Sequence, residues 1–188
     1  PLESLRVGDA VLAATREPSA ASTASSPPAP DDGSNWEFRF EPVLAWLHRD
    51  PEAETEMVRI SHGLGHVHMT HNHLLMRQPR ARSDPTVPAD IAPVPASDVV
   101  VGDRLMAPWI DGSVVWPEVS SVETVGRMRG LYSPLLESGF VLVDGVVASV
   151  YAMPVNISEA PWWRSLSQRC GGDSFVHDAM HASMLPLR

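Results

Sequence analysis

The segments "LESLRVGDAVLA" at residues 2–13 and "ASDVVVGDRLMA" at residues 96–107 carry one pattern twice. In both copies an apolar frame surrounds Val-Gly-Asp, and a proline-containing strand follows, "FRFEPVLAWL" at 38–47 and "SVVWPEVSSV" at 113–122. Val-Gly-Asp is typical of a tight turn in which glycine takes a positive φ angle and aspartate hydrogen-bonds the backbone. The repeat therefore predicts a duplicated β-subdomain folded around a pseudo-twofold axis.

The remaining sequence favours an all-β fold. Among 188 residues there are 18 prolines and 12 glycines, and the apolar runs between them are short and rich in β-branched residues. Helical periodicity is nearly absent before residue 158. We predict many short strands joined by frequent turns, with no segment near the roughly 18 apolar residues that a membrane span requires.

Two low-complexity segments interrupt this pattern. Residues 16–35 are rich in Ala, Ser, Pro and Asp, and we predict a disordered insertion there. A proline-rich loop is expected over 78–95. We place the main domain at 1–153 and a tail at 154–188, which begins with a short helix that Ser158 would cap. Because the sequence opens on the approach to a strand, we expect it to be part of a longer polypeptide.

Charge and cysteine content exclude several classes of function. The chain has 23 acidic and 14 basic residues, a net charge of −9, and all its basic residues are arginine. This balance argues against nucleic acid and against anionic membrane surfaces as partners. Lysine chemistry is excluded. The single cysteine, Cys170, cannot form an internal disulfide or a multi-cysteine zinc site.

The stretch "HGLGHVHMTHNHLLM" at 62–76 holds five histidines and leaves two readings open. His66 and His68 would share one strand face and could bind a metal with His62 as a further ligand. No carboxylate or cysteine interrupts the cluster, and "HGLGH" indicates an exposed hairpin turn, so we predict no metal and no cofactor. In the other reading, one imidazole that titrates near neutrality serves as an acid catalyst. A second histidine pair, His177 and His181, stands four residues apart in the tail.

Five segments together resemble a Hint domain, the module that hedgehog autoprocessing regions share with inteins: "LESLRVGDAVLA", "PVLAWLHRD", "VHMTHNHLLM", "VGDRLMA" and "SPLLESGFVLVDGVVASVYA". The resemblance covers about residues 2–153 and is closest to the hedgehog side. It implies a pseudo-twofold, horseshoe-like β-assembly. It also implies self-cleavage, in which the thiol of an amino-terminal cysteine attacks the preceding peptide carbonyl and forms a thioester. A second nucleophile then releases the upstream polypeptide.

The same resemblance implies a catalytic Thr-x-x-His pair, which Thr70 and His73 match. His73 would protonate the departing amide nitrogen, and Thr70 would supply a hydrogen-bonding hydroxyl. We expect Thr70 to end one strand and His73 to begin the next, with a turn between them. The substrate would be the upstream polypeptide of the same chain, the module would be monomeric, and the parent protein would follow the secretory route.

Departures from the hedgehog pattern limit the expected chemistry. The nucleophilic cysteine is expected upstream of Pro1, so the sequence alone should be inactive. Val150 stands near the place of a second cysteine, and Pro108 at the place of an aspartate that activates a sterol, with Asp111 as the nearest acid. We therefore expect hydrolysis rather than transfer to a sterol acceptor. The final His-Asn pair of inteins is missing, so splicing is not expected. The alternative is a non-catalytic β-domain, either a decayed Hint domain or a histidine-rich metal-binding module.

Overall fold

A computed structural model describes residues 1–16, 35–78 and 91–152 of the chain. Within these ranges the backbone forms twelve β-strands and two short 3₁₀ turns, Leu2–Ser4 and Ala96–Asp98, with no α-helix. The strands are β1 Ala10–Arg16, β2 Trp36–Pro42, β3 Ala45–His62, β4 Gly65–Thr70, β5 His73–Gln78, β6 Ala92–Pro95, β7 Arg104–Leu105, β8 Ala107–Pro108, β9 Val114–Val115, β10 Val119–Leu135, β11 Phe140–Val143 and β12 Val146–Ala152. The predicted all-β class is confirmed.

The strands form two hairpins and two larger sheets, all antiparallel. β1 pairs with β2, and β8 pairs with β9. One larger sheet has the order β10-β3-β4, and the other has the order β11-β12-β5-β6 with β7 also paired to β5. The short connection from β4 to β5 therefore passes from one large sheet to the other.

The two Val-Gly-Asp copies adopt the same backbone conformation. Gly8 has a φ angle of 94° and Gly102 one of 92°, as the sequence predicts. The Gly8 N–H donates to the Val43 carbonyl at 2.8 Å, and the Gly102 N–H donates to the Val119 carbonyl at 2.9 Å. The turn of each copy is thus bonded at or just before the start of a long strand, β3 for the first copy and β10 for the second. The shared pattern confirms a structural repeat.

The two aspartates play the same local role in different surroundings. A side-chain oxygen of Asp9 accepts from the Arg6 N–H at 2.9 Å, and one of Asp103 accepts from the Val100 N–H at 3.0 Å. Asp9 is exposed, whereas Asp103 is 1% exposed and pairs with Arg77 at 3.2 Å. Only the second copy therefore carries a buried ion pair at this turn.

The central ribbon is much longer than the sequence pattern indicates. β3 has 18 residues and β10 has 17, whereas we predicted short strands, and β3 runs through the acidic stretch at 50–56. In the observed register Arg127 lies opposite Glu56 and Arg129 opposite Glu54, and Arg129 forms an ion pair with Glu52. Opposite charges on facing strand positions favour this pairing. The expectation of short strands is wrong here because the compensating arginines lie far away in sequence.

One apolar cluster packs the two larger sheets together. It combines residues of β3 and β4 with residues of β5, β6 and β12, among them Ile60, Val67, Leu75, Val94 and Ala148. Full burial of an aliphatic side chain of this size contributes about 1.5–3 kcal/mol. The cluster therefore holds the end of β4 against the start of β5, where Thr70 and His73 are found.

The predicted loop at 78–95 is partly wrong. Gln78 belongs to β5, and Ala92–Pro95 forms β6, which pairs along β5. Pro93 and Pro95 occupy alternate positions, and alternate residues of a strand direct their N–H groups to opposite sides. A strand bonded on one side tolerates prolines at such positions.

Other sequence predictions fall outside the described ranges. These include most of the insertion at 16–35, although Arg16 ends β1, and the whole tail at 154–188 with its helix at Ser158. The division at residue 153 therefore stays a prediction. In the described part of the chain, no helix has the length and apolar character needed to cross a membrane.

Candidate active site

A cavity of about 530 Å³ opens where the two larger sheets meet. Its wall is formed largely by apolar side chains of β3, β10, β11 and β12. Thr70 and His73 line this cavity, and so does Leu2, close to the point where the chain enters the fold. The cavity therefore brings the predicted pair and the start of the described chain to one place.

Thr70 and His73 lie where the sequence predicted. Thr70 is the last residue of β4 and His73 is the first of β5, with His71 and Asn72 in the turn between them. The Ser97 N–H donates to the His71 carbonyl at 2.9 Å and ties the turn to the second 3₁₀ segment. No direct hydrogen bond joins the side chains of Thr70 and His73, both of which the structure describes. Each could therefore contact a third group in the cavity.

The His73 ring is oriented by a backbone carbonyl. Its Nε2 lies 2.8 Å from the Ser149 oxygen, and because a carbonyl can only accept, Nε2 must carry the proton. Among the described residues, Nδ1 has no hydrogen-bond partner. Leu74 and Leu75, which follow in β5, are fully buried and anchor the ring to the core. The neutral ring thus offers an unprotonated Nδ1 as a base.

Burial lowers the pKa of His73 below its ordinary value, because the charged imidazolium loses hydration. The hydrogen bond to the Ser149 carbonyl opposes this shift, since donation favours the cation. Burial has the larger effect. The ring is therefore neutral at neutral pH and releases a proton readily after accepting one.

Ser149 sits in an irregular part of β12 that sequence reasoning missed. Along β5, His73 and Leu75 are two residues apart, but their partners on β12, Ala152 and Ala148, are four apart. The extra residues form a bulge over 149–151. No sequence signal marks this bulge, because it depends on how β12 meets β5.

Two serine hydroxyls bond the backbone of this bulge. The Ser149 Oγ accepts from the Tyr151 N–H at 2.9 Å, and the Ser133 Oγ donates to the Val150 carbonyl at 2.6 Å. Ser133 belongs to β10 and lines the cavity. The bulge is thus fixed both from within β12 and from the neighbouring sheet.

His66 and His68, the two histidines weighed as metal ligands, both lie on β4. The rings of His66 and His68 are 5.1 Å apart in an edge-on arrangement, with His66 exposed and His68 facing the cavity. Within the residues that the structure describes, no group of three or more His, Cys, Asp or Glu side chains is arranged to hold a metal. His177, His181 and Cys170 lie outside the described residues.

The expectation of an exposed hairpin at 62–66 is wrong for His62. This side chain is 6% exposed, and its Nδ1 accepts from the Leu64 N–H at 3.3 Å. Its Nε2 is buried and has no hydrogen-bond partner among the described residues. The Gly63 N–H donates to the Glu118 carbonyl at 3.2 Å and holds the hairpin against the ribbon. The His62 ring is therefore buried where this hairpin packs against the ribbon, a contact that the local sequence does not predict.

The positions that depart from the hedgehog pattern differ in whether they line the cavity. Val150 is 1% exposed and lines the cavity. Pro108 and Asp111 do not line it. Asp111 is exposed, and its carboxylate accepts from the N–H and the hydroxyl of Ser113 at 2.9 and 2.6 Å, which lowers its pKa. Asp111 therefore stabilises a turn, and no acidic side chain lines the cavity in the part of the chain that the structure describes.

Comparison with known proteins decides the family. A family model described as "Hint module" matches residues 1–163. The chain belongs to the Hint family. Among curated relatives, the chain is 29% identical over 132 residues to Warthog protein 4 of Caenorhabditis elegans, covering 68% of this chain and 23% of that protein. It is 30% identical over 114 residues to Warthog protein 6 of the same organism, covering 60% of this chain and 18% of that protein. The Hint module thus spans less than a quarter of these relatives.

Solved structures agree with this fold. A DnaB intein from Synechocystis sp. PCC 6803 superposes with a TM-score of 0.52 at 9% identity, covering 79% of this chain and 82% of the intein. The DnaX mini-intein of Spirulina platensis gives a TM-score of 0.50 at 18% identity, covering 77% and 88%. At these identities the likeness establishes the Hint fold.

Two histidines should make the stability of the Hint module depend on pH. Burial is the main cause that lowers the pKa of His62 and of His73 in the folded state. The unfolded chain, with histidine pKa values of about 6.5, then binds more protons below neutrality. The free energy of unfolding should fall as pH drops through about 6.5, by up to about 1.4 kcal/mol per pH unit for each histidine.

Denaturant unfolding between about pH 7.5 and pH 5 measures this effect. The His62→Gln and His73→Gln variants should each flatten the slope, because each removes one group whose pKa is lowered by burial. A free energy of unfolding that increases on acidification over this range would contradict the prediction.

Proposed function

We propose that this Hint module cleaves the peptide bond that precedes a cysteine upstream of Pro1, with His73 as the proton carrier and Thr70 as a hydrogen-bonding partner. One observation carries the proposal. The His73 ring is held through Nε2 by the Ser149 carbonyl at 2.8 Å and lines a cavity that Leu2 also lines. Upstream residues can therefore enter the cavity beside the ring.

The proton path follows from the orientation of the ring. Nδ1 first takes the thiol proton, and the thiolate attacks the carbonyl carbon of the preceding residue. In the tetrahedral intermediate Nδ1–H then donates this proton to the amide nitrogen, the C–N bond breaks, and a thioester remains. The lowered pKa keeps the ring neutral at the start and makes its protonated form a better acid for the second step.

Thr70, at the end of β4, is proposed to stabilise the tetrahedral intermediate of the same step. Thr70 lines the cavity and its hydroxyl is not bonded to the His73 ring, so we propose that the hydroxyl donates to the carbonyl oxygen that becomes negative in the intermediate. The mostly apolar wall strengthens such a hydrogen bond, because water screens it less.

We propose that water accepts the acyl group of the thioester. Activation of an alcohol for transfer needs a base beside it, and the nearest acid to the expected position, Asp111, is exposed and bonded within its own turn. We therefore propose hydrolysis rather than sterol transfer. We also propose a single cleavage.

The parent polypeptide, with the residues that precede Pro1, provides the test. Incubation should release an amino-terminal fragment, and a small thiol should accelerate release and leave a thiol adduct on the carboxyl end of that fragment. Mass spectrometry measures the adduct, and replacing the upstream cysteine with serine is the control. A folded parent protein that releases no fragment with or without the thiol would favour the decayed, non-catalytic alternative.

A further inference from the structure

We propose that Ser133 and Ser149 are positioning residues, whose hydroxyls hold the bulge of β12 so that the Ser149 carbonyl fixes one tautomer and orientation of His73. The effect on cleavage rests on the function proposed above. The effect on the ring does not.

The first argument concerns the hydrogen bonds of the bulge itself. Between Ala148 and Ala152, β12 departs from its regular register with β5. The Val150 N–H finds the Gly139 carbonyl at 2.9 Å, but the Tyr151 N–H and the Val150 carbonyl are bonded by the hydroxyls of Ser149 and Ser133. An unpaired peptide group in a buried strand is costly, so loss of either hydroxyl favours a different backbone path.

The second argument is the burial of Ser149. β12 is otherwise apolar, and Ser149 is fully buried, one of four buried polar or charged residues among those described. Burying a hydroxyl is unfavourable unless it is hydrogen-bonded. Its bond to the Tyr151 N–H meets this requirement, so the residue type at position 149 fits a role in shaping the bulge.

The third argument connects the bulge to the ring. The Ser149 carbonyl accepts the hydrogen bond from Nε2–H of His73, and both hydroxyls bond the next peptide group, between Val150 and Tyr151. If the carbonyl shifts away, Nε2 loses its acceptor and the proton can move to Nδ1. A ring with its proton on Nδ1 cannot accept a second proton there, so it cannot begin the proposed reaction.

Nitrogen NMR of ¹⁵N-histidine-labelled full chain tests the effect on the ring without any cleavage. The original chain should show His73 as a single Nε2–H tautomer. In Ser149→Ala and in Ser133→Ala the Nδ1–H tautomer should become detectable, and the pH midpoint of ring protonation should fall because the stabilising bond is weakened. Ser133→Thr, which retains the hydroxyl, should restore the original spectrum.

Ser120→Ala is the matched control. Ser120 lies on β10, as Ser133 does, and its hydroxyl also bonds backbone, donating to the Ser61 carbonyl at 3.3 Å, but it stands at the other end of that strand. Its spectrum should match that of the original chain. If Ser149→Ala does not fold, the pair Ser133→Ala and Ser133→Thr carries the test. An unchanged His73 tautomer in the folded alanine variants would overturn the proposal.

The cleavage assay in the parent polypeptide separates this proposal from the proposed function. Each alanine variant should slow release about 10-fold, as expected when one hydrogen bond that orients the ring is lost. The double variant should be less than about 100-fold slower, because both hydroxyls act on the same bulge and their effects are not independent. If the tautomer changes while the rate of release does not, the role of His73 fails, whereas the positioning of its ring stands.

Discussion

Replacing His73 with alanine in the parent polypeptide is expected to abolish measurable release of the upstream fragment, with a loss of at least about 100-fold. The reason is chemical, because an amide nitrogen leaves only when it is protonated, and His73 is the imidazole in the cavity that is bonded to a backbone carbonyl. Release over time, followed by gel or mass spectrometry, measures the effect.

Three matched experiments sharpen this result. His71→Ala changes a neighbouring histidine that lies in the turn and does not line the cavity, and should leave release within about twofold. Thr70→Val should slow release by about 10-fold, as expected for one lost hydrogen bond. Imidazole added to His73→Ala should restore part of the activity through the vacated space. Normal release from the folded His73→Ala variant would remove this residue from the mechanism.

The second large effect concerns stability and uses the internal repeat as its own control. Asp103→Ala should lower the free energy of unfolding by about 3–5 kcal/mol, because it removes a buried carboxylate and leaves the Arg77 guanidinium without it. Asp9→Ala removes the equivalent turn bond at an exposed position, where the cost should be about 1 kcal/mol. Denaturant unfolding of the two variants under one condition gives the comparison.

A conservative change separates the two roles of Asp103. Asp103→Asn keeps an acceptor for the Val100 N–H but removes the charge that faces Arg77. Its stability should fall between those of the original chain and Asp103→Ala. Equal losses for Asp9→Ala and Asp103→Ala would show that the ion pair contributes nothing beyond the turn.

Local chemistry explains which parts of the fold the sequence predicts. The turns at Gly8 and Gly102 depend on three adjacent residues, so their conformation and their equivalence can be read from the chain. The length of β3 cannot be read from the chain, because its Asp, Glu and Pro residues disfavour a strand locally. Arginines on β10 compensate for these residues only in the folded protein. β6 was missed for a related reason, since its prolines are tolerated only because of how it pairs.

Some features of the candidate site can likewise be predicted from the sequence, and others cannot. The positions of Thr70 and His73 at adjoining strand ends follow from a short polar turn before an apolar run. Their roles in catalysis stay predictions. The contact of His73 with Ser149, the cavity and the burial of His62 arise from segments that meet only in the folded chain. No local pattern could have indicated them.

The bond from His73 to Ser149 joins residues 76 positions apart in sequence. During synthesis the imidazole leaves the ribosome long before the strand that orients it. A nascent chain would therefore hold an unaligned His73 ring until β12 has emerged and docked. If His73 acts as proposed, this order keeps the upstream junction intact until β12 is in place.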